Sequence, residues 1–254
     1  MPPSILPRLL LLLPLSAGAA VPLRVAINDQ PAAPYIVGEG KSLASPPGLA
    51  VELLQQAAAP CNVNLLLQRQ SSLRQLQALR TGATDAILLL SYTPERAAFA
   101  HYPLRDGKPD ARYRMATLSY NFYVRSGSKL QWDGRQLQGL NGGMVGTDLG
   151  WSVAADLERL RIPVEGAVGV EANLAKLRAG RIAAYAVHAN LAAAYLQNSQ
   201  DVVALQPPIS TKDYFLPFGL HFASAHPQEV QCLWQHIASQ RDTLLQQRGP
   251  AYGH

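Results

Sequence analysis

The sequence predicts an α/β fold arranged as two similar lobes. A short phrase occurs twice, about a hundred residues apart: Leu76-x-x-Leu79-Arg80-x-Gly82 runs into Asp85-Ala86-Ile87-Leu88-Leu89-Leu90, and Leu174-x-x-Leu177-Arg178-x-Gly180 runs into Ala183-Ala184-Tyr185-Ala186-Val187. Each copy reads as the last two turns of a helix, a glycine stop and a buried strand. Glycine suits the left-handed residue that ends a helix, and the apolar run suits a strand covered on both faces. The second observation is that helix and strand patterns alternate along the chain, which argues against an all-helical or all-β fold. Chance recurrence of leucine and glycine competes with the repeat, but the helix, glycine and strand keep the same order and spacing. A cleft between two lobes is a natural ligand site.

The chain has 254 residues, 48% of them hydrophobic, enough for one large domain or two small lobes. Arg8, the apolar stretch Leu9 to Leu15 and the small residues Ser16-Ala17-Gly18-Ala19-Ala20 predict a secretory signal peptide over residues 1–20. The apolar stretch is too short for a membrane span, and no later stretch reads as one. No cysteine follows the cleavage region, so no lipid anchor is expected. The mature protein is expected in a bacterial periplasm, as a monomer.

Net charge is +5. Lysine and arginine are dispersed, without the clustering that a nucleic-acid surface needs. The excess reads as solvated surface with a mild preference for anions. Cys61 and Cys232 either form a disulfide in an oxidising compartment or remain two separate buried thiols. No Cys-x-x-Cys or His-x-x-x-His pattern exists, so neither a metal nor a cofactor is expected.

The elements follow in order. Leu23 to Ile27 alternates as a strand, and Asn28-Asp29-Gln30-Pro31 ends it in a loop that reaches Pro34 and Tyr35. Gly38 to Pro47 reads as a turn, Gly48 to Ala59 as a helix and Val63 to Leu67 as a strand. Ser71 or Ser72 caps the helix that stops at Gly82. A third strand runs from Asp85 to near Ser91. Thr93 is a natural N-cap, with Pro94 at the first helical position. Arg105 to Arg114 is a polar loop, and Ser119 to Arg125 a strand of alternating aromatic and polar residues. The second unit has a short strand at Met144-Val145-Gly146, a helix opened by Gly150-Trp151-Ser152 and a strand from Val164 to Val168. Helices over Asn173 to Ala179 and Asn190 to Gln197 follow. A short strand at Val202 to Leu205, a long strand from Asp213 to Ala223 and a helix from Pro227 to Gln247 complete the chain.

Thr93-Pro94-Glu95-Arg96, after a Gly-x-x-Asp strand, resembles the bacterial extracellular solute-binding proteins of polar amino acid ABC transporters (family 3). The likeness continues in order through nearly the whole mature chain. Ala33-Pro34-Tyr35 is similar to the family's Pro-aromatic loop, and Gly48-Leu49-Ala50-Val51-Glu52-Leu53 to its Gly-Phe-Asp-Val-Asp-Leu helix start. Val145-Gly146 with Gly150-Trp151-Ser152 resembles the second lobe's Val-Gly-x-x-x-Gly-Thr-Thr. The resemblance implies two Rossmann-like α/β lobes joined by two crossing hinge strands, the type II periplasmic binding protein-like fold. Residues 21–116 and 214–254 would form lobe 1, and 117–213 lobe 2. Motion would be absorbed near Ala116–Tyr120 and Thr211–Tyr214.

The resemblance also implies roles. Arg96 matches the arginine that grips a ligand carboxylate with a planar fork; its alternative is a surface ion pair. Ser91 matches a hydroxyl contact, or is a cap. Trp151 and Ser152 match the second lobe's contacts at a helix N-terminus, or open an ordinary capped helix. Tyr35 belongs to the Pro-aromatic loop. Several positions depart from the pattern. His188 stands where amino-acid binders carry an acid for the ammonium, and it is either a site residue or a buried structural one. Asp29 is the candidate for the missing negative charge. Ala32 replaces a stacking aromatic, Ala50 an acid, and Leu88 and Leu89 small polar residues. A carboxylate ligand remains, an amino acid or a related organic acid.

The function implied is capture of a small carboxylate between two lobes for an ABC permease in the inner membrane. Two alternatives are an accessory or sensory periplasmic protein that contacts a protein partner, and a periplasmic cyclohexadienyl dehydratase-like enzyme. No paired acid and base is visible, so an enzyme is not expected.

Overall fold

The computed structural model describes residues 19–252. Residues 1–18, which hold nearly all of the expected leader, lie outside the described residues.

The first sheet forms around the alternating strand Val21–Asn28. It pairs in parallel with Val63–Gln70 on one side and with Ala86–Ile87 on the other. Phe218–Gly219 and Ala100–His101 extend this five-stranded sheet antiparallel. Leu23, Val25 and Ile27 pack on one face against helices Leu49–Ala58 and Pro227–Arg248, through Leu53, Leu54, Leu233 and Ile237. On the other face Ala26 and Ile87 meet Leu79 of helix Ser72–Thr81, with Tyr102 and Phe215. Each fully buried side chain of this size contributes roughly 1.5–3 kcal/mol, so both faces are secured.

The second sheet has seven strands. Val145–Asp148 lies parallel between Val164–Ala167 and Ala184–His188, and the long strand Ala116–Arg125 pairs antiparallel with Ala184–His188. Ser210–Phe215 then joins Ala116–Arg125, and Leu90–Ser91 joins Ser210–Phe215. Ala116–Arg125 and Ser210–Phe215 are the two strands along which the chain passes between the sheets. Phe122 and Val145 belong to the apolar cluster on one face, Tyr185 and Leu177 to that on the other.

Both copies of the repeated phrase fold alike. Helix Ser72–Thr81 ends at Gly82 with φ 74°, and helix Val170–Arg178 is followed by Gly180 with φ 70°. A strand follows each glycine.

Three expectations change. The expected strand Asp213–Ala223 is three elements: Ser210–Phe215 in the seven-stranded sheet, Phe218–Gly219 in the five-stranded sheet, and helix Leu220–Ala225. Pro217 has no N–H for a ladder, and the chain changes sheets there. The expected strand Asp85–Ser91 divides the same way. Ala86–Ile87 and Leu90–Ser91 belong to different sheets, with Leu89 left-handed between them at φ 60°. The expected loop Arg105 to Arg114 contains a hairpin, Leu104–Arg105 with Lys108–Pro109, and the 3-10 turn Ala111–Tyr113.

Cys61 and Cys232 are joined in a disulfide across 171 residues of chain. It fastens the long C-terminal helix beside the end of helix Leu49–Ala58. Closing so long a loop stabilises such a fold by roughly 2–5 kcal/mol. No helix among the described residues is long and apolar enough to cross a membrane.

Candidate functional site

A cavity of about 80 Å³ lies between the two lobes, beside the crossing strands. One wall is apolar: Ile36, Leu76, Leu88, Leu90, Leu118 and Leu191. The other is aromatic: Tyr120, Trp151, His188 and Tyr214. Asn28, Gln30, Ser72, Gln75, Ser91 and Arg96 are the polar lining of the cavity.

Thr93 and Pro94 place Arg96. The Thr93 hydroxyl accepts a hydrogen bond from the Arg96 amide (3.2 Å), and Pro94 begins the four-residue helix Pro94–Ala97. The arginine is 7% exposed. Its Nη1 donates to the Ser91 carbonyl (2.7 Å) and to Ser91 Oγ (2.8 Å), and Nη2 donates to the Gly150 carbonyl (2.9 Å). All three acceptors are neutral, and no Asp or Glu lines the cavity among the described residues. A guanidinium has further N–H donors beyond these. A buried charge without a counter-charge is costly, so this position favours an anion.

Ser91 is fixed by sheet pairing opposite Tyr214. Its carbonyl also accepts from Tyr102 (3.0 Å), and its hydroxyl donates to Ser152 Oγ (2.9 Å). Ser152 and Gly150 follow strand Val145–Asp148, at the start of helix Val153–Arg159. Trp151 Nε1 donates to Ser72 Oγ (2.9 Å) and Asn190 Nδ2 to the Ala33 carbonyl (3.1 Å). These bonds cross the cleft and hold the lobes together. The expected amide-lined helix mouth is reduced: the Trp151 amide turns back to the Asp148 carbonyl (3.3 Å), and the helix that follows spans only Val153–Arg159.

His188 ends strand Ala184–His188 and pairs opposite Tyr120, which stacks the rings at 3.9 Å between centroids. Its Nε2 lies 3.0 Å from the Tyr214 hydroxyl, which also donates to the Tyr120 hydroxyl (3.1 Å). Its Nδ1 is buried without a partner. Burial, and then the charges of Lys212 and Arg96, push its pKa down to about 3. The imidazole is therefore neutral at any ordinary pH.

Lys212, which the sequence did not single out, reaches the site from the crossing strand Ser210–Phe215. Its Nζ donates to the carbonyl and Oγ of Ser152 (both 3.1 Å) and pairs with Asp156 (2.5 Å). Burial lowers its pKa while Asp156 opposes the shift. Asp156 also accepts from Ser210 (2.8 Å) and pairs with Arg159. A hydroxyl–amine contact of this kind can activate a serine only when the amine is unprotonated. Asp156 faces the Lys212 amine and favours its charged form, against the burial that lowers its pKa.

Two expected site residues lie elsewhere. Asp29 does not line the cavity; it borders shallow depressions beside Ser71 and Gly169, and its carbonyl accepts from Arg69 (2.8 Å). Tyr35 packs behind the cavity against the cluster of Ala116, Leu118 and Tyr214. Its carbonyl accepts the Ala50 amide (3.0 Å) across Gly48, where a Cβ would stand 2.4 Å from that same oxygen. The Tyr35 carbonyl thereby fixes the start of helix Leu49–Ala58. The alternating aromatics of Ser119 to Arg125 were the available signal for Tyr120. Nothing local marks Lys212 or Tyr214, which reach the cleft only when distant strands pair.

No family model and no curated protein matches the chain. Solved structures share its fold. The GluR0 ligand-binding core from Nostoc punctiforme in complex with (L)-glutamate superposes with a TM-score of 0.66, at 18% identity over 89% of this chain and 98% of that one. The arginine-bound form of truncated ArgBP from T. maritima gives 0.65, at 18% identity over 89% and 95%. The amino acid ABC transporter substrate-binding protein AbpA from Streptococcus pneumoniae, bound to L-arginine, gives 0.65, at 18% identity over 89% and 93%. The fold is that of the two-lobed periplasmic binding proteins, as the sequence predicts.

Proposed function

We propose that this chain is a periplasmic solute-binding protein that closes on a small carboxylate and delivers it to an ABC permease in the inner membrane. Residues 21–116 and 214–254 are taken as one lobe and 117–213 as the other. The single observation that supports this most is Arg96: a buried guanidinium, bonded to both lobes, without a carboxylate partner. Carboxylate oxygens match its donors better than the Gly150 carbonyl does. Ligand contacts made by both lobes would favour the closed form over the open one. The named ligands of the fold relatives, glutamate and arginine, both carry carboxylates. The reading is of binding rather than catalysis, because the fold relatives named above are ligand-binding proteins.

A thermal-shift screen against amino acids and small organic acids tests it, since a ligand specific to the folded form raises the melting temperature. At least one carboxylate should give a shift, and Arg96→Ala should abolish it while the protein stays folded. A screen in which no shift depends on Arg96 would remove the proposal.

A further inference from the structure

We propose that Ser72 and Gln75 form a second reading point in the cleft, which takes an uncharged carboxamide at the far end of a carboxylate ligand. The inference rests on the carboxylate-binding reading of Arg96.

The polar lining has two parts of different character. Apart from the neutral His188, Arg96 is the one ionisable basic or acidic side chain that lines the cavity among the described residues. Asn28, Gln30, Ser72 and Gln75 are all uncharged. A cation or a second anion held by them would meet dipoles without a counter-charge, and would lose hydration there. A neutral group with both a donor and an acceptor is matched by dipoles alone.

Gln75 supplies the acceptor. It lies one turn into helix Ser72–Thr81 and is 4% exposed. Its Nε2 donates to the Gln70 carbonyl (2.7 Å), which can only accept, and that bond fixes which way the amide faces. Its Oε1 accepts no hydrogen bond within the protein, and it is not among the unpartnered side-chain atoms that are sealed from solvent. The open side of Gln75 is the cavity that it lines. Ser72 supplies the donor. Its Oγ accepts from Asn28 Nδ2 (2.8 Å) and from Trp151 Nε1 (2.9 Å). Both lone pairs are then used, and the hydroxyl proton is what remains to be offered. Gln30 has only long side-chain contacts, 3.5 Å to Asp29 and 3.5 Å to Tyr195, so it is not fixed as this pair is. Residues 72 and 75 are three apart on one helix and share a face, with Cβ atoms roughly 5–6 Å apart. A carboxamide can accept from Ser72 through its oxygen and donate to Gln75 through its nitrogen. Leu76, Leu88, Leu90 and Leu118 offer an apolar seat for the methylenes between the two ends. The cavity, about 80 Å³, keeps that chain short.

The test is a matched series that varies only the far end of one acid: succinamate, succinate, 4-aminobutanoate and 4-methylpentanoate. Each is also taken with an α-ammonium, as L-asparagine, L-aspartate, L-2,4-diaminobutanoate and L-leucine. All are titrated calorimetrically into the full mature protein. In whichever set binds more tightly, the carboxamide should lead the other three by about tenfold or more. Gln75→Leu should bring it down to the affinity of its branched hydrocarbon counterpart, whose own affinity changes by less than about threefold. Gln75→Glu should move the preference to the terminal ammonium, and it carries the comparison if circular dichroism shows the leucine variant unfolded. A charged or hydrocarbon terminus that binds as tightly as the carboxamide overturns the proposal. So does a carboxamide whose lead survives these substitutions, or a series in which nothing binds. None of these results touches the carboxylate reading, which is decided by the Arg96-dependent screen over all acids.

Discussion

At position 188 a neutral imidazole makes stability depend on pH. An ordinary histidine titrates near 6.5, whereas His188 stays uncharged down to about 3, through burial and then the facing charges of Lys212 and Arg96. Tyr120, Tyr214 and Trp151 pack against it and are uncharged, burial raising both phenols. Between these two values the unfolded chain binds more protons than the fold. The contribution is therefore whole above about pH 6.5 and is lost as pH falls toward 3. At pH 5 this amounts to about 2 kcal/mol. Urea unfolding at pH 7.5 and pH 5.0 should show the parent losing stability by up to that amount and His188→Gln losing less. Equal losses would mean that the folded imidazole accepts its proton readily. Among single residues, Arg96 was legible in the sequence because Thr93 and Pro94 fix its helix locally. His188 was legible only as a departure from a pattern. The sequence also proposed Asp29 and Tyr35, and neither lines the cavity.

The four-residue helix Pro94–Ala97 is too short to be stable alone. Its cap and the tertiary bonds of Arg96 are what keep it. Thr93→Ala removes the side-chain acceptor for the Arg96 amide, a change worth about 1 kcal/mol. Chemical denaturation should register a loss of that size. Affinity for the best carboxylate of the screen should fall several-fold, since the guanidinium loses its anchored backbone. An unchanged affinity would show that Ser91 alone positions Arg96. The elements are legible in the sequence wherever their signals are local. Both helix–glycine–strand units follow from left-handed glycines and apolar runs within a few residues of one another. Asp85 to Ser91 and Asp213 to Ala223 read as continuous strands because apolar periodicity does not tell which sheet a residue joins. Leu89, left-handed without being glycine, and Pro217 mark the two places where the chain leaves one sheet for the other. A left-handed leucine is an uncommon conformation held by its surroundings, and it borders the cavity.

In the proposed binding cycle, closure depends on contacts made only when the lobes meet. Gly150 is one such point. It is left-handed at φ 82°, its carbonyl receives Arg96, and a Cβ there would stand 3.2 Å from Leu73 Cδ2 and 3.3 Å from Leu76 Cδ1 of the opposite lobe. Alanine at this position meets two distinct penalties. The left-handed backbone costs about 1–2 kcal/mol whether the cleft is open or shut. The crowding against Leu73 and Leu76 acts only in the shut form, so it alone moves the balance between the two. Gly150→Ala should therefore fold with modestly lower stability and open more often. Small-angle scattering should give a larger radius of gyration than the parent under the same conditions. Affinity for the carboxylate should fall about tenfold, the equivalent of 1.4 kcal/mol. A variant that loses stability but keeps both its radius and its affinity would show that the leucines give way, and that closure is set instead by the Ser91–Ser152 and Trp151–Ser72 bonds.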